Sequence, residues 1–187
     1  MNGTKSESMQ PITYSVPKGL RAGAIGGFIG AIVLGTFGEI GAIALNQELF
    51  YTTIARKLAF GDFSVLGGWA LHLLVGIIAG SLFIGATAAI RSFALTTTRK
   101  AVWVGILGGV AIWIVVYVPV TGLLVPDDLT NTTFAGGAFV LHILYGVVTA
   151  IVSLFAGLSL RGRRQPSNSR RIRKRGMLPG RFRVLRR

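Results

Sequence analysis

The chain has 187 residues, of which 51% are hydrophobic and only 14% are charged, with a mean hydropathy of +0.63 and a formal net charge of +14. This composition is too apolar for an ordinary soluble domain and predicts a membrane protein. The chain contains no cysteine, which excludes disulfide bonds, thiolate metal ligands and thiol catalysis.

Four apolar segments each exceed the roughly 20 residues that a helix needs to cross a bilayer. In hydrocarbon each must be a helix, because only a helix satisfies its own backbone hydrogen bonds. We therefore predict an all-α polytopic membrane protein with an N-terminal cytoplasmic segment over 1–21 and a transmembrane domain over 22–160. The first segment is longer than a signal-peptide core and contains Glu39, so we expect it to be retained. The predicted spans are approximately 22–45, 65–90, 101–125 and 134–160.

Lysine and arginine are concentrated before the first span, between the second and third, and after the fourth. Basic residues in short loops mark the cytoplasmic side. We therefore expect a multi-pass protein of the plasma membrane with both termini in the cytoplasm. The residues concerned are Lys5, Lys18, Arg21, Arg91, Arg99, Lys100, Arg161, Arg163 and Arg164.

The loop between the first two spans contains an amphipathic pattern. Phe50, Ile54 and Leu58 recur at every fourth position beside Arg56 and Lys57. This spacing predicts a helix, which either lies on the membrane surface or packs on the bundle.

A short phrase appears twice along the chain, as "LHLLVG" from Leu71 and as "LHILYG" from Leu141, 70 positions apart. "GAIGG" from Gly23 and "GILGG" from Gly105 are similarly related, at a distance of 82. The pattern predicts two tandem helical hairpins in the same orientation, related by an axis along the membrane normal. His72, in the first phrase, and its equivalent in the second would then lie at one depth, about 10 Å below the outer ends of their helices.

Small residues recur at every fourth position beside the histidines. Such rows allow close backbone contact, which supplies much of helix association in lipid. We therefore interpret them as packing surfaces and expect the histidines to face the interior of the bundle. The rows are Gly68, His72, Gly76 and Gly80; Ala138, His142, Gly146 and Ala150; and Gly23, Gly27, Ala31 and Gly35.

Three further polar residues are expected in the layer of the histidines. Glu39 lies about 26 Å along the first helix at 1.5 Å per residue, and its repeat equivalent is Thr121. Tyr117 lies one turn before Thr121, and Pro119 between them cannot donate to the carbonyl of Val115.

The paired histidines have three possible roles. As neutral groups they can hydrogen bond between helices and serve only in packing, which is the interpretation that we favour. Two imidazoles can also ligate haem b, and His72, His142 and Glu39 together would suit a transition metal. A protonatable permeation site is the third role.

The segment 161–187 holds 12 of the 20 lysines and arginines and no acidic residue. We expect this tail to be disordered away from the membrane and to bind anionic lipid headgroups or an acidic partner. Nucleic acid is disfavoured as a partner because no nucleic-acid-binding module accompanies the tail. The candidate contacts are Arg170, Arg171, Arg173, Lys174, Arg175, Arg181, Arg183, Arg186 and Arg187.

The repeated phrase, with a glycine one turn after each histidine, resembles small uncharacterised four-helix membrane families of bacteria and archaea that have "HLLYG"-like segments. The resemblance covers the second and fourth helices and implies no known activity. No nucleotide-binding, metalloprotease or nucleophile-elbow motif is found. We therefore favour a non-enzymatic accessory or structural subunit of a homo- or hetero-oligomeric membrane assembly. The alternatives are a haem- or metal-binding membrane protein and an oligomeric channel or carrier of small solutes or protons.

Overall fold

The computed structural model describes the backbone of residues 15–162 and the side chains of 15–157. The basic tail beyond these residues, with its nine candidate lipid contacts, lies outside the described part, as does 1–14.

Seven α-helices make up almost all of the described chain, and four continuous helical stretches are long and apolar enough to cross a membrane. The prediction of an all-α fold with four spanning helices is therefore confirmed. The four stretches are Val16–Ala44, Gly61–Ala89, Thr98–Leu124 and Thr132–Gly157. The helices are α1 (Val16–Ala44), α2 (Phe50–Lys57), α3 (Ser64–Ala89), α4 (Thr98–Ile112), α5 (Val118–Leu124), α6 (Pro126–Thr130) and α7 (Thr132–Gly162).

The first helix begins earlier than the sequence predicted, at Val16 instead of residue 22. Pro17 lies in its first turn, where a missing N–H group costs nothing. Lys18 and Arg21 are exposed on this extension. Their long side chains can carry the charge away from the apolar surface, which allows a helix to continue through basic residues.

The bundle is arranged around α1 and α7, which pack against each other. On the other side of α1 lies α3, and on the other side of α7 lies α4. The helices α3 and α4 are in contact where the ring of Phe83 on α3 lies against Gly108 on α4. Phe83 also packs against a small buried core that includes Ile84, Val104 and Leu154.

Glycines make the closest helix contacts in both hairpins. A Cβ atom added to Gly27 would meet backbone atoms of Gly76 and Gly80 at 3.0 Å or less, and one added to Gly109 would meet the backbone of His142 and Ile143 under 3.0 Å. The packing role of the small-residue rows is thereby confirmed. Equivalent positions of the two hairpins make these contacts, although the duplication itself stays a prediction.

A row of hydroxyl side chains on α7 faces the carbonyl groups of neighbouring helices. The Tyr145 hydroxyl donates to the carbonyl of Gly76 on α3 at 2.5 Å, and Ser153 donates to Ala22 on α1 at 3.0 Å. Between them, Thr149 donates a longer bond of 3.4 Å to a second carbonyl of α1. All three side chains are buried, so the seam between the helices is polar as well as close.

The third span is interrupted by one wider, π-helical turn over Trp113–Tyr117, between α4 and α5. Pro119 lies two residues after the end of this turn and lacks the N–H group that a regular turn would use. Single π turns of this kind accommodate an extra residue within a helix and are frequent at functional sites. The rings of Trp113 and Tyr117 stack across the turn, with centroids 5.9 Å apart and an angle of 17° between their planes.

Candidate functional site

Both histidines line one cavity of about 380 Å³, which we call the histidine cavity. It lies between α1, α3, α7 and the third span, at the end of the bundle where α2 packs, and α2 forms one of its walls. Most of its lining is aliphatic or aromatic, and none of its lining residues is charged at neutral pH if the histidines are neutral. Its polar lining residues are Gln47, Tyr51, His72, Tyr117, Thr133 and His142.

His72 is fixed by neighbours on three helices. Its Nε2–H group donates to the carbonyl of Ala31 on α1 at 2.9 Å. Tyr51 of α2 stacks on the imidazole, with centroids 5.0 Å apart, and Trp69 meets it edge-on at 6.0 Å. A carbonyl oxygen can only accept, so the proton of the neutral ring is on Nε2 and Nδ1 remains as an acceptor.

His142 is held within its own helix, where its Nδ1–H group donates to the carbonyl of Ala138 at 2.7 Å. The same reasoning leaves Nε2 of the neutral ring as an acceptor. The Tyr117 ring lies beside this imidazole, with centroids 5.2 Å apart. The two histidines therefore use opposite nitrogens for their backbone bonds, and each keeps one nitrogen for another partner.

The short helix α2 reaches the surroundings of both histidines through two consecutive residues. Tyr51 contacts His72, whereas Phe50 contacts Tyr117 at 5.4 Å and Phe134 at 6.0 Å between ring centroids. Of the two possibilities for the amphipathic loop helix, packing on the bundle is the one observed, since Tyr51 and Thr52 are buried. The role of these two aromatic residues was not predicted from the sequence.

A glycine on α3 allows this close approach of α2. A Cβ atom at Gly68 would lie 2.6 Å from the Tyr51 carbonyl oxygen. Gly68, one turn before His72, therefore indicates the close approach of a loop helix. From the sequence it was interpreted only as a contact between spans.

The hydroxyl groups of Tyr117 and Thr121 are buried and have no hydrogen-bond partner of normal geometry in the described part of the chain. Tyr117 and Thr121 are 5% and 0% exposed, and their hydroxyl oxygens lie near each other. Tyr117 lines the histidine cavity, whereas Thr121 is behind the lining.

Glu39 is not among the residues that line the cavity. It is half-buried on α1 and influences Tyr51, whose pKa is raised by burial and, secondarily, by the negative charge of Glu39. Within residues 15–162 no group of three or more His, Cys, Asp or Glu side chains could hold a metal ion. The structure thus brings His72, His142 and Tyr117 together in one lining, and Glu39 is close to Tyr51 but outside that lining. Haem or metal binding stays a prediction.

Two glycines contribute to the volume of the cavity, because they have no side chain to fill it. Gly41 on α1 and Gly137 on α7 both line the cavity, and a Cβ atom at either would meet nothing within 4 Å. The adjacent Gly136 is equally open but does not line the cavity. These glycines are unlike those at the helix contacts, where added atoms would collide.

The fold and its apolar spans define the class of the molecule as a multi-pass α-helical membrane protein. Comparison with known proteins finds no matching family, no matching curated protein and no matching solved structure. The resemblance of the histidine segments to small four-helix families therefore stays a hypothesis, and function has to be argued from the cavity.

Proposed function

We propose that this is a non-enzymatic membrane protein that binds a neutral, mostly apolar small molecule in the histidine cavity. The observation that carries the proposal is one mostly apolar cavity of about 380 Å³ whose few polar lining residues include both His72 and His142. Binding sites for small molecules have volumes of about 300–1,000 Å³ and combine an apolar lining with a few polar groups. The cavity has this size and composition.

The ligand should be uncharged because none of the lining residues carries an opposite charge. A charge within the membrane costs roughly 2.5–3.5 kcal/mol even on insertion scales, and an ionic ligand would have no counter-ion in the cavity to offset that cost. The protein would then act as a binding subunit, alone or within the larger assembly that the sequence analysis favours.

Haem or metal binding by His72 and His142 is a second candidate, and one observation favours it. Each imidazole donates one N–H group to a backbone carbonyl, and its other nitrogen makes no hydrogen bond within the described part of the chain. Metal-binding histidines have this arrangement, because the outer bond fixes the tautomer and the ring orientation. A Soret band or a stoichiometric metal in the purified protein, lost in both His72→Leu and His142→Leu, would support this candidate over the first.

Two adjacent glycines of α7 provide the test of ligand binding. Gly137→Leu fills the cavity, whereas Gly136→Leu adds the same side chain next to it. The probe is bromine-labelled dodecyl methyl ether, a neutral quencher of tryptophan fluorescence, added to the full chain in lipid nanodiscs. Trp69, beside His72, and Trp113, beside Tyr117, are the reporters, and Trp103, which is 61% exposed, is replaced by Phe in all variants.

We expect strong quenching in the parent and in Gly136→Leu, and loss of the saturable part in Gly137→Leu. Quenching by probe dissolved in the surrounding lipid is common to all three proteins and cancels. Equal saturable quenching in both leucine variants, or none in the parent, would contradict the proposal.

A further inference from the structure

We infer that the ligand of the histidine cavity is a neutral lipid whose head group donates two hydrogen bonds, one to His72 and one to His142. This inference rests on the proposed function and names the ligand class of the same site. Its basis is that each imidazole offers the cavity a nitrogen that can only accept.

The unused nitrogens of the two histidines are of the same kind. The Nε2–H group of His72 donates to the Ala31 carbonyl at 2.9 Å, and the Nδ1–H group of His142 donates to the Ala138 carbonyl at 2.7 Å. In the neutral rings, Nδ1 of His72 and Nε2 of His142 therefore carry no hydrogen. Neither makes a second hydrogen bond within the described part of the chain. A ligand can pair with them only by donating.

A molecule in the cavity can reach both nitrogens. Among the described side chains, the polar atoms that are fully buried without a partner belong to four residues, and neither histidine is one of them. Since the two nitrogens also lack a partner, they must retain accessible surface. Both imidazoles line the histidine cavity, which is where that surface can be contacted. The Tyr117 hydroxyl, by contrast, is one of the four buried groups and is not offered to a ligand.

The two histidines lie at one level of the bundle. The Tyr145 hydroxyl on α7 donates to the Gly76 carbonyl on α3 at 2.5 Å. Gly76 is four residues beyond His72, and Tyr145 is three residues beyond His142. This bond therefore joins the two helices about one turn beyond each histidine. A single head group can consequently face both imidazoles.

Two donors on an apolar chain meet the requirements of this lining. An ether, ester or ketone has no donor and would leave both nitrogens unpaired, and a polar group that is desolvated without a hydrogen bond costs free energy. A carboxylate carries a charge for which the lining offers no counter-ion. The chain of the ligand would occupy the part of the cavity lined by Gly41 and Gly137, where no side chains fill the space.

Two sources share this chemistry, namely fatty primary amides and lipids with a vicinal diol, such as monoglycerides. The experiment uses two series of bromine-labelled probes with chains of equal length. One series is a primary amide with its N-methyl and N,N-dimethyl derivatives, and the other is a 1,2-diol with its monomethyl and dimethyl ethers. Within each series the head group loses one donor at each methylation.

Each probe is titrated in nanodiscs into the full chain carrying Trp103→Phe, and the saturable quenching of Trp69 and Trp113 gives an apparent affinity. In the parent, the affinity should fall about two- to tenfold for each donor lost, the range expected for one net hydrogen bond. Tighter binding of the amide would assign the site to fatty amides, and tighter binding of the diol to diol lipids.

His72→Leu and His142→Leu should each remove one of the two steps in affinity. The probes without a donor should still bind saturably to both variants, which shows that the cavity is intact. Tyr117→Phe is the matched control, because it deletes a hydroxyl group from a lining residue without deleting a group that a ligand can reach. It should keep both steps.

Equal affinities within each series in the parent would overturn the inference, and so would the survival of both steps in the two histidine variants. A preference that ends at one donor would overturn the pairing of the imidazoles. In each of these cases, loss of all probes in Gly137→Leu but not in Gly136→Leu would leave the proposed function intact. If all probes bind alike to both glycine variants, both proposals fail.

Discussion

Replacing Gly27 by alanine should destabilise the bundle, whereas the same change at Gly41 of the same helix should not. The added Cβ atom at Gly27 would point into the backbone of α3, with the Gly80 Cα at 3.0 Å and the Gly76 carbonyl group on the same side. At Gly41 the added atom would meet nothing within 4 Å. The facing atoms at Gly27 belong to backbone and cannot rotate away, so α1 and α3 must separate.

The two variants differ only in this steric contact. Both gain up to about 1 kcal/mol of helix propensity when glycine becomes alanine. An added methyl group in a tightly packed contact costs about 1–3 kcal/mol through strain and displaced neighbours. The free energy of unfolding of Gly27→Ala should therefore lie about 1–3 kcal/mol below that of Gly41→Ala, which should equal or exceed the value of the parent.

Reversible unfolding in mixed detergent micelles, followed by circular dichroism, gives these free energies. Gly109→Ala, whose added atom would meet backbone of α7, serves as the equivalent in the second hairpin and should resemble Gly27→Ala. Equal stability of the Gly27 and Gly41 variants would refute the reasoning that glycine contacts hold the helices together.

Two further predictions concern the loops. Cysteine at Ser92 should be protected from an impermeant thiol reagent in intact cells and cysteine at Thr132 should react, as the distribution of basic residues predicts; both positions are exposed, and labelling at Ser92 without permeabilisation would reverse the topology. Asp128→Asn should raise the thermal unfolding midpoint at pH 7, because the charged form of Asp128 is disfavoured in the folded protein. Burial and, secondly, the charge of Asp127 raise the pKa of Asp128 above its ordinary 3.8, whereas Lys57 lowers it. A raised folded-state pKa means that the folded protein binds the proton more tightly than the unfolded chain, so stability falls as pH rises upward from 3.8. The advantage of Asp128→Asn should therefore shrink as pH falls towards 3.8 and be lost below it, and an advantage that is independent of pH would contradict this cause.

The number and approximate position of the spans could be predicted because hydropathy reports directly on the cost of placing side chains in lipid. The start of α1 was missed for the same reason, since Lys18 and Arg21 lower the local hydropathy although their charges are exposed. The π turn was anticipated only as a disturbance at Pro119. Its form depends on how the neighbouring turns share the missing hydrogen bond, which the sequence does not specify.

The candidate site was predicted in part. The repeated phrase led to His72 and His142, and the position of Tyr117 followed from counting helix turns. Which groups face one another depends on helix rotation, and counting along an axis does not give rotation. For that reason counting could place Glu39 in the layer of the histidines but could not show that it lies outside the lining of their cavity.

The partners of Phe50 and Tyr51 could not be predicted, because they are far away in sequence. The hydroxyl row of α7 did have a signal that was overlooked. Tyr145, Thr149 and Ser153 are spaced by four and therefore share one face of an apolar helix. A polar row of this kind in a spanning segment predicts interhelical hydrogen bonds.

The hydroxyl row also bears on the order in which the bundle assembles during synthesis. Thr149 and Ser153 donate to carbonyl groups of α1, the first of the described spans to leave the ribosome, from α7, the last of them. Until α7 is inserted, the glycine face of α1 that receives these bonds is open to lipid or to a chaperone. The first hairpin can form early, but the bundle closes only when the fourth span arrives, so α1 has to remain available throughout the insertion of the second hairpin.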